Sequence, residues 1–104
     1  MPIIRVSVLR CQPQHFAGLK KLMAESMRVL EPGIRPMRGL IHFYAGEDET
    51  GNALINVSIC ETLADAKQLD AFQPMLDLGT VFVSNGAMFE RPFLNYASQW
   101  EVAP

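Results

Sequence analysis

Histidine and cysteine are scarce in this chain: His15, His42, Cys11 and Cys60 are the whole complement among 104 residues. The two cysteines are too few and too far apart for a metal framework, and free thiols are the simplest expectation. The nine Lys and Arg residues are scattered, and the formal net charge is −2. No phosphate-tracking surface is indicated, so no nucleic-acid partner is expected. Arg, Asn, Glu or Gln interrupts every apolar run well short of the roughly 18 residues that a spanning helix needs, so no membrane partner is expected. The chain begins directly with a strand-like run instead of a signal peptide, and the expectation is a cytoplasmic protein. Internal repeats, low-complexity segments and linkers are also lacking.

What is present is apolar. Hydrophobic residues make up 49% of the chain and charged residues 19%, which favours a folded domain that buries further surface in an oligomer. The length suits one hydrophobic core, so residues 1–104 are expected to form a single domain.

The segment IIRVSVL, residues 3–9, alternates as a strand, with Ile4, Val6 and Val8 on one face and Ile3, Arg5, Ser7 and Leu9 on the other. Pro13 opens a helix whose inner stripe is Phe16, Leu19, Met23, Met27 and Leu30. Glu31-Pro32-Gly33 is expected to end it. The second strand is read as Met37 to Ala45, and a polar turn from Gly46 to Asn52 returns the chain into LINVSIC, residues 54–60. Pairing Gly46 with Asn52 sets His42 opposite Asn56 and Leu40 opposite Ser58, which gathers His42, Tyr44, Asn56 and Ser58 on one face. A slip of one residue would instead set His42 among aliphatics.

Thr62 is a plausible N-cap, with Asp65 as capping-box partner, for a helix carrying Leu63, Ala66, Leu69 and Phe72. Pro74 kinks or restarts it. Met75 to Val83 reads equally as a helical turn or a short strand. Pro92 then opens a last strand, Phe93 to Val102.

This order is that of an α+β, ferredoxin-like βαββαβ domain: one antiparallel sheet with two helices on one face. The other face would be left as a large apolar patch, so a second copy is the natural cover. Together with CETLADAKQLDAF after the third strand, the pattern resembles the dimeric α/β barrel proteins of the antibiotic-biosynthesis monooxygenase type over about residues 3 to 102. The resemblance implies a homodimer whose sheets close into an α/β barrel, and a pocket between each sheet and its own helices for a small hydrophobic or aromatic ligand. Asn56 stands four residues before Cys60, as the family's pocket asparagine stands before a tryptophan, and Cys60 occupies the tryptophan position. The haem-degrading branch uses a histidine near its second helix, and no histidine follows His42 here.

Two functions follow. The first is a cofactor-independent monooxygenase or related enzyme acting on a small aromatic or polyketide-like molecule, with His42 as base and Asn56 and Tyr44 holding the oxyanion. The second is a non-catalytic barrel that binds a small hydrophobic ligand or serves a stress or accessory role. Neither requires a cofactor or a metal. Ser58, Cys60, Met23 and Met27 complete the candidate ligand site, with Met75 as a further floor residue; His42, Asn56 and Ser58 serve equally well as a structural network. Cys60 beside Glu61 reads as an inert buried thiol. Trp100 is expected to pack across a dimer from the last strand.

Overall fold

The computed structural model describes residues 1–48 and 50–104; Glu49, which the sequence places in the hairpin turn, lies outside the described residues. The elements run β1 (Ile3–Arg10), α1 (Pro13–Ile34), β2 (Leu40–Asp48), β3 (Ala53–Cys60), α2 (Leu63–Lys67), a 3-10 turn (Gln68–Ala71), α3 (Gln73–Ser84), β4 (Met88–Phe89) and β5 (Leu94–Ala97). All strand pairings are antiparallel, in the order β2-β3-β1-β4, and β5 also pairs with β1.

Pro13 stands in the first turn of α1, where its missing N–H leaves no bond unmade. The helix does not stop at Glu31-Pro32-Gly33 but continues to Ile34. Pro32 removes one donor in the final turn, on the side of exposed Arg28, while buried Ile34 anchors the end. Gly33 remains helical because the Phe72 ring packs on it: an added Cβ would stand 2.6 Å from Phe72 Cζ. The reversal falls instead at Gly39, whose φ of +73° suits glycine, beside the Asp65 carboxylate.

Thr62 caps α2, its hydroxyl accepting from the Asp65 N–H at 3.1 Å. Pro74 does restart the chain, and the ambiguous segment after it is the helix α3. The single second helix read from the sequence is therefore three helical pieces. The last strand also differs from its expected span of Phe93 to Val102. It is shortened to β5, with a separate two-residue strand β4 before it across Glu90–Phe93, and regular pairing ends at Ala97, so Trp100 lies beyond the sheet and is 85% exposed. Ser98 fastens the tail's start, its N–H and hydroxyl both donating to the Pro2 carbonyl at 3.0 and 2.7 Å.

The two faces of the sheet are unlike. Arg5, Ser7 and Leu9 of β1, with Leu54, Ser58 and Cys60 of β3, are buried under the helices. There Leu9 and Leu54 join Leu19 of α1, Phe82 of α3 and Ala87 in the core. Ile4, Val6, Val8, Ile55, Val57 and Ile59 fill the opposite face and are only half-buried. Exposed Tyr44, Leu94 and Tyr96 extend that apolar surface.

Candidate functional site

The β2–β3 register decides where the candidate residues go. Gly46 pairs with Ile55 instead of Asn52, and Ala45, Phe43 and His42 stand opposite Asn56, Ser58 and Ile59. The ladder reaches Asp48 and Ala53 because Asp48 Oδ1 closes a tight turn, accepting from the Thr50 N–H (3.1 Å), Thr50 hydroxyl (2.9 Å) and Gly51 N–H (3.0 Å). These bonds, Thr50's hydroxyl foremost, hold the Asp48 carboxyl below its ordinary value. A displacement of three positions is odd, so it exchanges faces. The expected pairing of His42 with Asn56 is thereby overturned: His42 and Tyr44, with ring centroids 5.8 Å apart, lie on the exposed apolar face, while Asn56 and Ser58 lie under the helices.

Under the helices the sheet encloses a cavity of about 480 Å³, open on one side. That volume is on the scale of small-molecule sites, roughly 300–1,000 Å³. Met23 and Met27 of α1 line it as expected, and Met75 of α3 joins them. Asn56 also reaches it, whereas Ser58 and Cys60 lie on the same sheet face outside its lining. Phe43, Phe82, Phe89 and Phe93 make much of the wall aromatic.

The polar end is built around Arg5, a residue that the sequence reading placed on the mixed face of β1 without giving it a role. Arg5 is 1% exposed at the centre of the sheet, its strand paired with β3 on one side and β5 on the other. Nε and Nη2 donate to Asp70 Oδ1 at 3.1 and 2.7 Å, and Nη1 donates to Asn56 Oδ1 at 3.2 Å. Its guanidinium also stands 4.9 Å from the Phe93 ring centroid. A buried guanidinium needs such partners to offset its lost hydration. Arg91 stacks on the same ring at 4.4 Å, and its charge reaches the cavity from the span between β4 and β5. Among the described residues, Arg5, Arg91 and Asp70 are the charged side chains of the lining, one positive charge in excess.

The signal for Arg5 was its position: a cation in mid-strand, two residues from Ser7, on the face opposite Ile4, Val6 and Val8. Its counter-charge, Asp70, lies 65 residues away and has no local signature.

Cys60 is 1% exposed. Burial raises its thiol above the ordinary value, Asp65 adding to the rise and Ser58 and Arg5 offsetting part of it, in keeping with an inert cysteine. Ser58 Oγ makes no hydrogen bond among the described residues. Asp65, buried behind Gly39, accepts from Arg38 Nε at 2.9 Å, and that bond, with Thr62 adding, holds its carboxyl below the ordinary value. No cluster of three or more metal-ligating side chains occurs among the described residues, and no helix there is long and apolar enough to cross a membrane.

Neither a protein-family model nor a curated protein sequence matches the chain. Solved structures do. A monooxygenase from the gene ActVA-Orf6 of Streptomyces coelicolor, in complex with nanaomycin D, superposes with a TM-score of 0.70 at 14% identity, over 98% of this chain and 91% of that one. A Deinococcus radiodurans protein described as an antibiotic biosynthesis monooxygenase gives 0.69 at 13% identity, over 98% and 97%. SnoaB, a cofactor-independent oxygenase from Streptomyces nogalater, gives 0.66 at 10% identity, over 99% and 98%. The chain has the ferredoxin-like fold of the antibiotic biosynthesis monooxygenase type.

Proposed function

We propose that the cavity binds a small, flat, electron-rich aromatic molecule and that the chain is a cofactor-independent monooxygenase. The observation that carries this reading is the buried Arg5 at the polar end of a cavity walled largely by Phe, Met and Leu side chains. An acidic phenol bound there meets a lining with one positive charge in excess, which favours its anion. The anion is the electron donor: a phenol and O2 give a quinone and water, one oxygen atom entering the ring and the other leaving as water with the two hydrogens that the phenol loses. The substrate supplies all four electrons, so no reductant is called for. Asn56 would hold the developing oxygen, and the methionines and phenylalanines would exclude bulk water.

The same proposal includes a second copy. Ile4, Val6, Val8, Ile55, Val57 and Ile59 form a continuous apolar sheet face, and a partner sheet would bury it together with Tyr44, Leu94 and Tyr96.

A different observation favours the non-catalytic reading. Among the described residues no histidine lines the cavity, and Oδ1 of the lining carboxylate Asp70 already accepts from Arg5. A binding protein needs no base. Oxygen uptake with hydroxylated naphthalenes and anthrones, without added cofactor, separates the two. Uptake matched mole for mole by quinone, and reduced at least tenfold in Asn56→Ala, is the outcome expected for the oxygenase. Tight binding without uptake would overturn catalysis and leave a carrier.

A further inference from the structure

Asn56 carries an asymmetry that the fold imposes. A guanidinium has donors only, so the carboxamide atom facing Arg5 Nη1 at 3.2 Å must be the oxygen, whichever way the amide is drawn. The amide nitrogen is then turned away from Arg5. It makes no hydrogen bond among the described residues, and its side chain borders the cavity. Arg5 in turn has little freedom: strand pairing on both sides fixes its backbone, Asp70 Oδ1 takes two of its N–H groups, and the Phe93 ring covers it.

We infer that Arg5 is the positioning residue that sets ligand choice: by engaging the oxygen of Asn56 it presents that residue's amide N–H groups to the cavity, selecting ligands with a deprotonated oxygen, such as acidic hydroxyquinones and phenolates. This rests on the reading of the cavity as an aromatic-ligand site and adds the ionisation state of the ligand. Asn56 Oδ1 already accepts from Arg5, Asp70 Oδ1 accepts from two of its N–H groups, and Arg5 and Arg91 supply positive charge. An anionic oxygen gains a charge-assisted bond there, whereas its methyl ether offers a weaker acceptor with no charge.

The test uses hydroxynaphthoquinone, an anion at neutral pH, and its methyl ether as probes, with dissociation constants from absorbance titration. For the wild type, at least about tenfold tighter binding of the anion is expected, the scale of one hydrogen bond to a charged group. Asn56→Asp keeps the shape, gives Arg5 a carboxylate and removes the N–H groups, so discrimination should fall to about twofold or less. Arg5→Lys keeps the charge, but its compact ammonium lacks the planar fork that reaches Asp70 and Asn56 together. It should lose most of the preference, and the side-chain amide resonances of Asn56 should move.

If Arg5→Lys does not fold, Asn56→Asp decides the matter, since its carboxylate pairs with Arg5 and supports the fold. Undiminished discrimination in a folded Arg5→Lys, or in Asn56→Asp, overturns the inference. Equal binding of the two probes by the wild type overturns it while leaving the cavity reading intact. Binding of neither probe overturns both.

Discussion

Replacing Asn56 by leucine, close in volume but without the amide, separates a structural prop from a ligand group. Arg5 makes three hydrogen bonds, two to Asp70 Oδ1 and one to Asn56. Leucine removes the third. If Nη1 were left bare, the loss would be about 1.5–3 kcal/mol, the scale of a bond to a charged group. Arg5 lines the cavity, so a single water admitted beside Nη1 in the variant would replace such a bond at an ordering cost of about 0–2 kcal/mol. Leucine also gains apolar contact with the cavity wall, at most about 1 kcal/mol for a half-buried position. The expected net loss is therefore about 1 kcal/mol, or about 4–8 °C in Tm for a domain near this size. Urea denaturation should show a lower midpoint with an unchanged slope. Affinity for hydroxynaphthoquinone should fall at least about tenfold. A loss above about 2.5 kcal/mol with unaltered affinity would refute the reasoning and make Asn56 a structural prop for Arg5.

Three further outcomes follow from the register and the charges. His42→Ala should leave probe affinity within about twofold of the wild type, since His42 faces away from the cavity; a larger change in isothermal titration would contradict the pairing of β2 with β3. Val57→Glu, at the centre of the bare sheet face, should convert a wild-type dimer into monomers in sedimentation velocity, because an unpaired carboxylate would be buried between two sheets; a wild-type monomer would refute the covering copy. Asp65, lowered first by Arg38, contributes stability that is present above the ordinary carboxylate range and lost as pH falls through its depressed folded value. Asp65→Asn should accordingly flatten the acid limb of a Tm-against-pH curve, and an unchanged limb would count against the Arg38 pairing.

Much of the fold was legible because local chemistry specifies it. Pro13, Thr62 and Pro74 mark helix starts through backbone hydrogen-bonding rules that act within one turn of chain. The β-branched alternation of β1 and β3 is equally local. The register was not legible, since it depends on which residue of a polar turn closes the hairpin, and Asp48 does so by accepting three bonds that a composition rich in glycine and acids does not single out. One odd displacement then carried His42 and Tyr44 away from Asn56. The end of α1 was misread for a related reason: Pro32 and Gly33 are breakers by propensity, and burial of Ile34 together with the Phe72 contact outweighs them. Helical spacing alone puts Met23 and Met27 on the inner side of α1, where they line the cavity. Arg5 and Asp70 required the three-dimensional structure, as ion pairs between distant segments leave no periodic trace.

The break between β4 and β5 has a consequence for how such a domain can diversify. β4 and β5 each pair with a separate stretch of β1, Leu9–Arg10 and Ile3–Val6, and the four residues between them contribute Arg91 and Phe93 to the cavity. The two short ladders act as fixed posts; in the span between them Glu90 is also tied to β1, its N–H donating to the Val8 carbonyl at 2.9 Å, and the pairings with β1 leave out Arg91 to Phe93. Substitutions or added residues in that span can change the charge and depth of the cavity while the posts keep the sheet aligned. A lineage of such proteins can therefore reshape this cavity by rewriting a few neighbouring codons, with the remainder of the sheet inherited intact.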